Sequence, residues 1–77
     1  MVRCKFKCLN IVPAVNGDGI EEGKRVYLAP VTYGSKENES FFRYTPDGEI
    51  SFGTVNAEAA NQFEVGKEFY VDFTEAK

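Results

Sequence analysis

Side chains with reactive heads are few in this chain, and they are widely spaced. Cys4 and Cys8 are the only cysteines, and there is no histidine. A CxxxC pair holds a metal only with further thiolates or imidazoles. Within a strand the two Cα atoms would stand roughly 13 Å apart at about 3.3 Å per residue, beyond the ~7 Å that a disulfide spans. Both therefore read as small buried hydrophobes. Ser35, Ser40 and Ser51 have no base beside them to activate a hydroxyl. The run NGDGIEE (16–22) sets amides and carboxylates in a row. A calcium loop alternates ligands with spacers, ends on a glutamate at its twelfth position and lies between helices. Here Asn-Gly and Asp-Gly are turn formers between strands. No catalytic residue, metal or cofactor is expected, and the chain reads as non-enzymatic.

Binding chemistry is better represented. In SFFRYTPDGEISFG (40–53), Phe41 and Arg43 fall two residues apart and share one face of a strand. Phe41 would stack a flat ring and Arg43 would hold a phosphate. Tyr33, Ser35 and Asn38, just upstream, would extend that platform. The competing role for Phe41 is structural: an aromatic ring laid across a cross-strand glycine, Gly53, shields a weak point of the ladder. Arg3, Lys5 and Lys7 form a basic stripe that could track an anion. If the first and last strands are neighbours, Lys5 and Lys7 instead face Glu68, Asp72 or Glu75 in ordinary cross-strand pairs.

The elements that carry these residues follow from the pattern. Residues 2–12 alternate, with Val2, Cys4, Phe6 and Cys8 on one face and Arg3, Lys5 and Lys7 on the other, which predicts a strand. Leu9 and Ile11 break the alternation, so a bulge is expected near Leu9 and Asn10. Residues 13–23 read as a loop and 24–33 as a second strand, with Pro30 at an edge or a bulge. GSKENES reads as a polar connection. Residues 40–45 and 49–54 read as a hairpin around TPDG, with Pro46 and Gly48 in turn positions. That register pairs Phe41 with Gly53 and Arg43 with Ser51 on the outer face, and leaves Phe42, Tyr44, Ile50 and Phe52 inside. Asn56 is a good N-cap for one or two helical turns over 56–63. A turn at Val65 and Gly66 leads to a last strand over 67–74.

Seventy-seven residues make a single domain, 1–77. So short a chain buries only about 60% of its unfolded surface. Seven phenylalanines and four tyrosines, with no tryptophan, predict a small Phe-rich core. The fold class is mainly β: a small five-stranded SH3-like (or OB-like) partly open barrel with one short helix before the last strand. The net charge of −3 argues against non-specific nucleic-acid binding. No apolar run approaches the roughly 20 residues that span a membrane. The basic N-terminal residues are not followed by an apolar stretch, so no signal peptide and a cytoplasmic location are expected.

The stretch YGSKENESFFRYTPDGEISFGTVN, followed by FEVGKEFYVDFTEA, resembles short uncharacterised small-barrel proteins of tailed bacteriophages and prophages, over about half of the chain. The resemblance implies an accessory role in the cytoplasm of an infected bacterial host and brings no catalytic residues with it. The expectation is a binding module that captures a host protein or a small nucleotide-like ligand stoichiometrically through the outward face of the 40–53 hairpin, as a homo-oligomer if a nucleotide is the ligand. The alternative is a structural or replication-complex component, with single-stranded nucleic-acid binding disfavoured by charge.

Overall fold

A computed structural model describes residues 2–32, 34–42 and 47–77. Four antiparallel strands are present among them: β1 (Val2–Val15), β2 (Glu21–Pro30), β3 (Ile50–Thr54) and β4 (Glu68–Phe73). Two short helices, α1 (Lys36–Phe42) and α2 (Ala57–Ala60), complete the fold. The sheet order is β3-β2-β1-β4.

β1 is long enough to serve two partners. Its first half pairs with β4, Val2 opposite Phe73 through Lys7 opposite Glu68. Its second half pairs with β2, from Phe6 opposite Pro30 to Val15 opposite Glu21. The register slips between Cys8 and Asn10, so the expected bulge is present, and slips again between Pro13 and Val15. The alternation of β1 then decides the layers. Cys4, Phe6 and Cys8 are buried with Val26 and Leu28 of β2. Around them pack Ile11, Phe42, Ile50, Phe52, Phe63, Phe69 and Val71. Phe6 meets Phe42 edge-on at 6.5 Å, and Phe63 bridges Phe52 and Phe69 at 5.2 and 5.0 Å.

Several sequence expectations need correction. The five-stranded barrel is instead an open four-stranded sheet among the described residues, with β3 and β4 each flanked on one side only. Of the strand expected at 40–45, the described residues 40–42 instead close α1, and residues 36–39 of the polar connection before them form the rest of that helix. Ser35 caps α1, its Oγ accepting the Asn38 N–H at 3.3 Å. Glu37 and Glu39 suit the positive end of the first turn. β3 consequently pairs with β2, so Gly53 lies opposite Arg25, not Phe41, and Ser51 lies opposite Tyr27, not Arg43. Residues 43–46, which include the expected turn proline and Tyr44, lie outside the described residues. The loop expected at 13–23 contracts to residues 16–20, because both strands extend into it. Asn16 forms that turn by accepting the Asp18 and Ile20 N–H groups on Oδ1 at 2.9 and 3.0 Å. Pro30 needs no sheet edge, because it is the last residue of an interior strand.

The α2 expectation is met. Asn56 Oδ1 accepts the N–H groups of Glu58 and Ala59, as an N-cap should. Gly23 illustrates how tightly β2 and β3 are joined. Its φ is +85°, and a Cβ there would run into the backbone carbonyl of Thr54. Gly19 also has positive φ, at +78°, but faces open space. Gly23→Ala is therefore expected to cost more than about 3 kcal/mol, and Gly19→Ala about 1 kcal/mol, in thermal or denaturant unfolding. Equal costs at the two positions would contradict the packing described.

Candidate functional site

Asn38 and Ser35 are buried, at 2% exposure each. The amide of Asn38 lies against β1 as a short strand would. Its Oδ1 accepts the Lys5 N–H at 2.5 Å, and its Nδ2 donates to the carbonyls of Lys5 and Val31 at 2.7 and 2.9 Å. Both amide hydrogens are thereby used. The Ser35 hydroxyl sits between the Asn38 N–H and the Glu37 carboxylate. Two of the residues expected to meet a ligand thus hold α1 on the sheet. Tyr33 and Arg43 lie outside the described residues.

Phe41 does face outward, at 47% exposure. Its neighbours differ from those expected. It stacks on Phe73 at 6.3 Å and 8°, and meets Phe42 edge-on at 4.7 Å. Phe73 is itself 51% exposed and Val2, its ladder partner, 45%. Phe41, Val2, Arg3, Glu37 and Ser40 line a groove of about 450 Å³ between α1 and the start of β1. A second, smaller hollow of about 330 Å³ is lined by Lys7, Leu9, Ala29, Pro30, Val31, Thr32 and Glu68.

The basic stripe is engaged with β4. Arg3 grips Asp72 with two hydrogen bonds, at 2.6 and 3.0 Å. Lys5 Nζ stands 3.8 Å from Glu68, and Lys7 lies opposite Glu68 in the ladder. The Tyr70 ring lies under both Arg3 and Lys5, at 4.9 and 5.3 Å. The cross-strand pairing read from the sequence therefore holds for Lys5, with Arg3 paired in the same way, and an arriving polyanion would compete with two carboxylates. The hydrogen bond from Arg3 holds the Asp72 carboxyl below the usual carboxylate range.

Burial pushes the Cys4 thiol up, and the nearby charge of Asp72 adds to this. A thiol so placed is poorly suited to nucleophilic or metal chemistry. Among the described residues no three His, Cys, Asp or Glu side chains gather as a metal cluster. No helix there is long and apolar enough to cross a membrane. Comparison of the chain with protein-family models, curated proteins and solved structures returned no match.

Sequence reasoning missed that Phe73 joins Phe41. One signal was available: an aromatic at the end of the last strand, in phase with the core face, must reach past the core's edge.

Two expectations follow. Asn38→Ala removes three hydrogen bonds and orphans the Lys5 N–H, and should cost about 2–4 kcal/mol in denaturant unfolding. Asn38→Asp keeps an acceptor but cannot donate to the two carbonyls, and should be as severe. A mild effect of either would mean that the amide does not hold α1. The second concerns pH. The folded pKa of Asp72 is depressed, so its contribution is present above the ordinary value of about 3.9 and is lost as pH falls through the lower folded value. The melting-temperature advantage of the wild type over Asp72→Asn should be small at pH 7, because the pair is exposed, and should shrink as the pH falls below the ordinary carboxylate range. A difference constant across that range would count against the pairing.

Proposed function

We propose that this chain is a non-catalytic binding module that captures a protein partner through the groove between α1 and the start of β1. The observation that carries this reading is the charge around the exposed ring of Phe41. Arg3 and Glu37 line the groove together, and the Arg3 guanidinium already serves Asp72. A phosphate entering there would meet a carboxylate and a cation already paired. A polypeptide, with an apolar side chain against Val2 and Phe41 and polar groups toward Ser40 and Glu37, suits the lining better. Of the two ligand classes read from the sequence, a host protein is thus favoured over a nucleotide. The SH3-like or OB-like kinship and the accessory role in a phage-infected bacterial cytoplasm belong to this same proposal, supported by a sheet with β1 between β2 and β4 and by the sequence resemblance.

The test is capture from bacterial lysate with the wild type, Phe41→Asp and Glu37→Arg, each first shown by circular dichroism to be folded. The expected result is a specific partner retained by the wild type and lost, or weakened at least about 10-fold, in both variants. Partners retained equally by all three, or native mass spectra in which the wild type carries only a nucleotide-sized adduct, would overturn the reading.

A further inference from the structure

The open edge of β4 has the features of a self-pairing seam, and we propose that two copies of this chain join there, β4 against β4 antiparallel, into a continuous eight-stranded sheet. The first argument is area. The accessible surface is 5816 Å² for 8.6 kDa, whereas monomers follow A ≈ 6.3 M^0.73, or about 4,700 Å² at this mass. The radius of gyration of 14.3 Å likewise exceeds the ~11.5 Å of a compact chain of this length. The surplus of ~1,100 Å² is comparable to the ~800 Å² that each partner buries in a standard interface. The arm formed by β1 and β2, with Val15 and Ile20 exposed near its tip, supplies part of it. Val2, Phe41, Tyr70 and Phe73, all 45–54% exposed, gather along β4.

The second argument is the edge itself. Cys8 exchanges backbone hydrogen bonds with residues 66 and 67, so the backbone groups of Cys8, Phe6 and Cys4 face β4. Their ladder partners Phe69 and Val71 point back at β1. Glu68, Tyr70 and Asp72 therefore direct N–H and C=O groups away from the sheet, toward the side where β4 has no neighbour among the described residues. Edge strands are commonly guarded by charge, but here Glu68 and Asp72 are offset by Lys5 and Arg3. β3, the other edge, is only five residues long and turns just Ser51 and Gly53 outward.

The third argument is register. A two-fold axis through the sheet keeps both core faces on one side and allows two close pairings. Centred on Tyr70, it sets Glu68 against the partner's Asp72, like charge on like, which is destabilising. Centred on Val71, it sets Tyr70 against the partner's Asp72 and Glu68 against the partner's Thr74. On the core face it then sets Phe69 against the partner's Phe73, and Val71 against the partner's Val71. That pairing extends the row of rings from Phe63 and Phe69 into the partner's Phe73 and Phe41. The charge pattern selects the Val71 register. The seam adjoins the groove assigned to a protein partner at Val2 and Phe41, but the arguments from area, edge and register do not depend on that assignment.

The experiment is sedimentation equilibrium of the full chain from about 1 to 200 μM. The wild type should sediment as a dimer in the upper part of that range. Phe73→Glu, which changes a half-exposed side chain and puts a carboxylate against the partner's Phe69, should raise the dissociation constant at least about 100-fold. Tyr70→Pro, which removes an edge-facing N–H, should do the same while circular dichroism shows the fold retained. Val55→Glu, at an exposed apolar site away from β4, should leave the dimer intact. Register is read by mild oxidation. The double variant Glu68→Cys/Thr74→Cys should cross-link copies efficiently, and Glu68→Cys/Asp72→Cys should not. A monomer at every concentration would overturn the proposal. So would a dimer indifferent to both Phe73→Glu and Tyr70→Pro, and the reverse cross-linking preference would overturn the Val71 register.

Discussion

The side-chain amide of Asn38 is the contact on which the arrangement of this fold turns. Proline at position 30 ends the β2 ladder while β1 still has four residues to run toward its N-terminus. The backbone groups of Lys5 that face β2 would be left beside a strand that has stopped. Val31 and Asn38 meet them instead, with the amide imitating one residue of a missing strand. Because Asn38 lies in the first turn of α1, the same three hydrogen bonds fix where that helix sits, and so where Phe42 enters the core and Phe41 leaves it. A helix of seven residues has little stability of its own. It exists here because its polar side is bonded to β1 and its apolar end is packed on Phe6.

How much of this was legible depends on how local each cause is. β1 was readable because its two faces differ sharply, with thiols and Phe6 against Arg3, Lys5 and Lys7. The α2 cap was readable because Asn56 acts on residues two and three positions away. That Lys5 faces an acidic residue of β4 was readable once the first and last strands were taken as neighbours, whereas the pairing of Arg3 with Asp72 was not singled out. The segment at 40–42 was not readable. Two adjacent phenylalanines followed by Arg and Tyr favour a strand by composition, and nothing near them says otherwise. What decides the matter is Asn38 meeting Lys5, 33 positions away. Phe41 was expected to face outward and does so, but on a helix, against Phe73 and not over Gly53. Ser35 and Asn38 were read as ligand contacts, yet their hydrogen bonds are spent inside the molecule.

The outer face of the sheet shows a related economy. Basic side chains that look free in the sequence are spread over Tyr70 and tied to the acidic residues of β4, while Arg25 lies beside Gly53 and over Tyr27. Exposed pairs of this kind add little to stability. Their larger effect is to leave a face of nearly balanced charge, without the surplus of positive potential that gathers polyanions.

The pairing of β1 with β4 has a temporal side. Residues 2–7 find their partners only at 68–73, so one of the two strands that close the sheet is synthesised well before the other. At about 5–20 residues per second, the row of Cys4, Phe6 and Cys8 waits several seconds for Phe69 and Val71 to exist. The β1–β2 hairpin can form early, since its turn spans only residues 16–20. Until β4 emerges, however, the nascent chain presents an apolar strand with one long unpaired flank. Closure across so large a sequence separation is also slow in its own right. The newly made chain is therefore most exposed to misassociation just before β4 docks, and a ribosome-bound chaperone would find its target in β1.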